Sequence, residues 1–159
     1  MSEALPDDLA TALADLAEAA AAADLRDPWW VFGGAAMALL GLTDWRVPDI
    51  DVLASPSDAR RLAAALDARI VMDPGEGQFR SRVYARTDGR SVPIEVMADL
   101  EVRTGADWRP VQFETRLPVA TNGGRLYIPA LAEQIATARL FGRPKDLARA
   151  DALERLSPA

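Results

Sequence analysis

The feature that most restricts what this chain can fold into is the pair of carboxylates in Asp49-Ile50-Asp51-Val52-Leu53, preceded by the apolar run and double glycine of Val31-Phe32-Gly33-Gly34. In a strand, residues i and i+2 share a face, so Asp49 and Asp51 aim at one place while Ile50 and Val52 turn to the other side. Two like charges held together are unfavourable unless a cation lies between them. A hard divalent cation meets that need, because Mg²⁺ is typically held by one or two carboxylates together with substrate phosphates. The glycines would let backbone N–H groups approach those phosphates closely. The pattern thus predicts a strand, a tight turn into a helix, and a second strand carrying acidic side chains, with phosphoryl-transfer chemistry where they meet. The plainer alternatives are a simple strand-to-helix turn at the glycines and a solvated strand edge at the aspartates.

The composition narrows the chemistry further. The 159 residues contain neither cysteine nor histidine. That excludes thiol nucleophiles, Ser-His-Asp triads and the usual zinc sites. A metal would have to be held by carboxylates, carbonyls and water, which selects Mg²⁺, Mn²⁺ or Ca²⁺. A net charge of −6 argues against a broad nucleic-acid surface. It leaves room for a nucleotide arriving with its own Mg²⁺; tRNA is the one nucleic acid left as an acceptor, and the acidic balance makes it less attractive unaided. No apolar run approaches the roughly 18 residues of a membrane span, and Met1-Ser2-Glu3-Ala4 does not open a signal peptide. A cytoplasmic protein of one domain, residues 1–159, is the expectation, and its Ala and Arg richness fits a GC-rich bacterial genome.

Along the chain, Pro6 to Asp24 reads as a helix with Leu5, Leu9, Leu13 and Leu16 on one face. Trp29 to Phe32 reads as a strand, Ala35 to Leu42 as a helix, and Asp49 to Ala54 as a strand. Ser55-Pro56 then starts a helix that runs to about Ala68. A Gly-rich turn falls at Pro74 to Gly77, and alternation follows from Gln78 to Arg86. Asp88-Gly89 marks a hairpin turn into Val92 to Met97. Short strands are expected at Val111 to Thr115 and Arg125 to Ile128, then a helix from Pro129 to about Phe141 and another from Lys145 to Leu156. The order predicts an α+β fold: a mixed sheet flanked by helices, with a two-helix C-terminal element over about residues 129–156.

A third carboxylate would strengthen the acidic pair. Glu95, between Ile94 and Val96, lies in a strand that a hairpin can bring beside Asp49 and Asp51, where it would act as third metal ligand or as general base. Asp99 and Glu101 are nearby rivals for the role, and an exposed edge strand is the plain reading of Glu95. Trp29 and Trp30 read as core, and Trp45 as packing or as part of an acceptor pocket. Arg80, Arg82 and Arg86 read as a solvated strand face or an anion-binding surface.

Taken together, Gly33-Gly34, Asp49-Ile50-Asp51, Ile94-Glu95-Val96 and the stretch Arg139-Leu140-Phe141-Gly142-Arg143-Pro144-Lys145-Asp146 resemble the nucleotidyltransferase fold superfamily, the DNA polymerase β-like group. Within it, the chain looks most like small bacterial nucleotidyltransferases of the abortive-infection toxin and lincosamide-resistance kind. The resemblance implies that Gly33 and Gly34 contact a nucleoside triphosphate, with ATP as one such co-substrate. It implies that Asp49, Asp51 and Glu95 hold Mg²⁺ or Mn²⁺, and that Lys145 or Arg143 meets phosphate or docks the C-terminal helices. The implied reaction transfers a nucleoside monophosphate to an acceptor hydroxyl. The chain departs from the family pattern at Gly34, where Ser is common, at Glu95, where Asp is commoner, and at Arg139, where Lys is common. Those departures keep a second reading open, a catalytically silent domain of the same fold that binds a protein partner, as in a toxin–antitoxin pair.

Overall fold

The computed structural model describes residues 4–73 and 77–156. Asp7–Ala23 forms α1, which carries Asp7 and Asp8 in its first turn, where the helix dipole favours acids. Its Leu9, Leu13 and Leu16 are buried as one apolar stripe. Then follow β1 (Trp30–Phe32), α2 (Gly33–Leu39), β2 (Ile50–Leu53) and α3 (Pro56–Ala65). The Ser55 hydroxyl caps α3 by accepting from the N–H of Asp58, and Pro56 occupies the first turn. That helix ends before Ala68, because Asp67 turns left-handed and the N–H of Ala68 returns to the carbonyl of Ala63.

Five strands make the main sheet, in the order β1-β2-β6-β5-β3, where β3 is Arg69–Val71, β5 is Val83–Arg86 and β6 is Ile94–Ala98. β2 and β6 run parallel, and the other neighbours are antiparallel. Period-two alternation divides every central strand between two faces. Val31, Ile50, Val52, Val83, Ala85, Ile94, Val96 and Ala98 join a core that α1 and α3 cover. Phe32, Leu53 and Met97 belong to a second core on the opposite face, with Tyr84 packed against it. Asp51 and Glu95 alternate with the first set, which puts them on that second face.

A smaller sheet and the C-terminal helices enclose the second face, and another small sheet packs on the first core through Leu126 and Ile128. β4 (Phe79–Arg80), β7 (Glu101–Thr104) and β8 (Asp107–Pro110) form one sheet, and β9 (Leu117–Thr121) pairs with β10 (Gly124–Ile128) in the other. The alternation from Gln78 to Arg86 is therefore two strands in different sheets. The chain crosses over at Ser81, whose N–H is taken by Asp73, and at Arg82, whose N–H bonds to Ala98. Residues 111–115 are not a strand as expected. The N–H groups of Glu114 and Thr115 go to the Glu133 carboxylate and Phe113 packs into the second core, so no ladder forms there. The turn expected from Pro74 lies outside the described residues apart from Gly77. Helices α4 (Leu131–Phe141) and α5 (Pro144–Leu156) pack together and against α2 through Met37, Leu42, Ala138, Ala150 and Leu153. Gly142 stands between them at φ +69°, the left-handed position a helix end requires. Trp45 packs on this third cluster and is not part of the cavity described below. No helix among the described residues is long and apolar enough to cross a membrane.

Candidate active site

The strand register brings the acidic residues together. Asp51 stands opposite Glu95 across the parallel β2–β6 pair and opposite Phe32 across β1. Asp49, one residue before β2, completes the group, and the three residues offer carboxylate oxygens that all lie within 4.8 Å of one another. The rivals for the third position are engaged elsewhere. Glu101 bonds Arg80 at 2.8 Å, and Asp99 lies 3.8 Å from Arg82. Among the described residues, no ion pair ties Arg46 to either aspartate.

Burial makes this cluster electrostatically tense. Burial and the neighbouring Glu95 charge push the Asp49 carboxyl above the usual aspartate range, against the partial relief of Arg86, Lys145 and Arg149. Asp51 is pushed up much further, by burial first, then by the Asp49 charge and a hydrogen bond with Glu95. Glu95 itself is held from the β5 side. Arg86 Nη1 lies 2.5 Å from Glu95 Oε1, and the Tyr84 hydroxyl donates to the same oxygen. Burial raises the Tyr84 pKa, and the Glu95 carboxylate raises it further, which keeps the phenol protonated and donating. Both partners take Oε1, and neither takes Oε2. A convergent all-oxygen donor set with excess negative charge is what a hard divalent cation takes, so these residues fit Mg²⁺ or Mn²⁺.

Gly33 and Gly34 sit at the turn from β1 into α2, beside the carboxylates. Gly33 has φ +69°, and a Cβ there would stand 3.1 Å from Asp51 Oδ2. Both conditions exclude a side chain. Gly34 is different. A Cβ there would meet Arg149 Nη2 at 3.8 Å and Val47 Cγ1 at 4.0 Å, ordinary contact distances.

A cavity of about 450 Å³ opens over the site and is lined by both glycines and all three acids. Its cationic lining comes from α5 and the residue that precedes it. Arg143 and Lys145, the two sequence candidates, both line it, but Arg143 is committed. Its guanidinium grips the buried Asp146 carboxylate at 2.6 and 3.1 Å and lies over the Phe79 ring, 5.0 Å from the centroid. That arrangement docks α5 onto β4. Lys145 and Arg149, one helical turn apart, face Asp49. Arg149 was not singled out by the sequence reading, since a lone arginine in an amphipathic helix reads as surface charge. The i, i+4 spacing from Lys145 is the signal that could have found it. Arg139 does not reach the cavity and pairs with Glu154 across α4 and α5.

No protein-family model matches the sequence, and no curated protein does. Solved structures do match. TM1012 of Thermotoga maritima, assigned as a nucleotidyltransferase, superposes with a TM-score of 0.73 over 96% of this chain and 94% of that one, at 18% identity. ANT(2″)-Ia, crystallised with adenylyl-2″-tobramycin, gives 0.55 over 92% of this chain and 93% of that one, at 16% identity. The lincosamide antibiotic adenylyltransferase LnuA, with lincomycin bound, gives 0.58 over 98% of this chain and 100% of that one, at 12% identity. At such identities the likeness is one of architecture, and the same α+β architecture was expected from the order of elements. The chain shares the fold of these solved nucleotidyltransferases.

Proposed function

We propose that the chain transfers a nucleoside monophosphate from a nucleoside triphosphate to an acceptor hydroxyl, with Mg²⁺ or Mn²⁺ at Asp49, Asp51 and Glu95. The observation that carries this reading is the convergence of the three carboxylates beside a glycine turn and two α5 cations. The metal, when bound, neutralises charge on the triphosphate and on the departing pyrophosphate. The chain's own residues do the positioning. Gly33 and Gly34 bring backbone close to the phosphates, and Lys145 and Arg149 face them from α5. Glu95, fixed through Oε1 by Tyr84 and Arg86, presents Oε2 to the metal or to the acceptor hydroxyl. The acceptor oxygen attacks the α-phosphorus, the bond to the β-phosphate oxygen breaks, and pyrophosphate leaves. The acceptor proton passes to a carboxylate of the triad.

The Arg86–Glu95 ion pair also supports a second reading, a silent domain whose third carboxylate is neutralised from within and whose surface serves a protein partner. One experiment separates the two. ATP, GTP, CTP and UTP are titrated calorimetrically with and without Mg²⁺ into the wild type and the Asp49→Ala/Asp51→Ala double variant. Metal-dependent binding that the double variant loses supports transfer and justifies a screen of acceptors. Absence of nucleotide binding in both proteins removes the transfer reading and directs the search to partner proteins.

A further inference from the structure

The cavity lining is of two kinds. Around the carboxylates, glycines and α5 cations it is polar and charged. The rest is largely apolar, and Met97, Leu100, Phe113 and Phe141 of the second core belong to it. Within the lining, α4 contributes one buried amide. Gln134 is only 3% exposed, and its Nε2 donates to the carbonyl of Pro129 at 2.8 Å. A carbonyl only accepts, so this bond fixes which amide atom is nitrogen and leaves Oε1 as the free group. Among the described residues, Oε1 of Gln134 is the one buried side-chain polar atom that no partner satisfies. A buried acceptor without a donor is unfavourable, and such groups recur where a ligand completes the bond. Thr137, three residues on, also lines the cavity and shares that face of α4.

We infer that Gln134 selects the nucleotide's base, its Oε1 accepting a hydrogen bond from an exocyclic amino group. This rests on the nucleotidyl-transfer reading, because a triphosphate placed on the charged lining leaves an uncharged flat ring for the apolar part. Aromatic side chains such as Phe113 and Phe141 suit such a ring. Since the Gln134 nitrogen is already spent on Pro129, only a donor on the ring edge satisfies the site. Adenine and cytosine carry an amine there, with an unprotonated ring nitrogen beside it to accept from the Thr137 hydroxyl. Hypoxanthine, guanine and uracil carry a keto oxygen at that position with a ring N–H beside it. The donor–acceptor order is thus reversed and acceptor meets acceptor at the Gln134 oxygen; the amine of guanine lies at a different ring position. The site therefore takes the 6-aminopurine and 4-aminopyrimidine edges and disfavours their 6-keto and 4-keto counterparts.

The test compares pairs that differ at this edge. ATP against ITP, and CTP against UTP, are titrated in Mg²⁺ into the wild type and into Gln134→Met, with inorganic triphosphate as a probe of the phosphate contacts alone. The amine-bearing member of at least one pair is expected to bind about tenfold tighter in the wild type, with the preference lost in Gln134→Met while inorganic triphosphate binds both proteins equally. Equal affinities within both wild-type pairs overturn the inference and leave nucleotidyl transfer standing. If no nucleotide binds in a metal-dependent way, the transfer reading falls and takes this one with it. Equal wild-type ratios overturn the inference even if Gln134→Met does not fold, and Gln134→Glu, which keeps the size of the side chain, then takes its place in the comparison.

Discussion

Gly33 and Gly34 are adjacent and identical, yet they answer to different constraints. Gly33 combines φ +69° with an Asp51 oxygen 3.1 Å from the place of a Cβ. Gly33→Ala is expected to cost about 1–2 kcal/mol from the backbone alone, read as a shift in urea midpoint, and to abolish metal-dependent nucleotide binding by displacing Asp51. Gly34→Ser has room at ordinary contact distance and is expected to fold as the wild type does. Its hydroxyl restores a phosphate donor, so calorimetry should show triphosphate binding as tight as in the wild type or tighter. Asp51 supplies the complementary case. Its carboxyl is held well above the usual range, so the folded state disfavours the charged form that neutral pH imposes on it. Asp51→Asn removes that opposition and is expected to raise stability at pH 7 by roughly 1 kcal/mol while eliminating nucleotide binding. A variant that lost both stability and binding would contradict this account of the cluster.

Among the elements, α3 shows how a buried charge holds a connection. Asp58 is fully buried near the start of that helix and accepts from the N–H groups of Arg26 and Asp27 and from the Arg61 guanidinium. Burial alone would raise its pKa, but those donors outweigh it, and the carboxyl titrates below the usual aspartate value. A lowered folded pKa means stability that is present above the unfolded value of about 4 and is lost as pH falls through the folded one. Asp58→Asn is therefore expected to destabilise by about 2 kcal/mol at pH 7, with the gap to wild type closing below pH 4 in urea titrations. The elements differed in how legible they were. α1 and β2 were plain because leucines at helical spacing and alternating Ile50, Asp51 and Val52 each carry one period clearly. β7 and β8 were missed because most of their side chains face solvent and only Val102 is buried. Gly105 at φ +67° marks the turn between them, a signal too short to stand against their polar composition. Glu95 was identified on a strand correctly paired with β2, whereas Tyr84 and Arg86, which fix it, required the β5–β6 register.

For the molecule as a whole, a net charge of −6 and the proposed triphosphate ligand are reconciled by placement. Lys145 and Arg149 face the acids from α5, while Arg143 is spent on Asp146 in docking that helix. Arg149→Ala is expected to weaken triphosphate binding about five- to tenfold, with the difference from wild type shrinking as salt is raised and the melting temperature unchanged. Arg143→Ala, by contrast, leaves Asp146 buried without its partner and should lower the melting temperature first. Sequence spacing alone could not tell these two arginines apart, because their partners are set by how α5 lies across α2 and β4.

The parallel pairing of β2 and β6 has a consequence for how such a molecule can change. Asp51 and Glu95 share one rung of a hydrogen-bonded ladder, and a slip of one residue in either strand would throw its acid to the opposite side of the sheet. The acidic pair is thus locked to the interior of the main sheet. Much of the apolar part of the cavity is built from other pieces, Phe79 of β4, Leu100, Phe113 and Phe141 of α4, which can be exchanged without disturbing that rung. Engineering a new base preference into this scaffold is accordingly a matter of repainting a detachable wall around an immovable hearth.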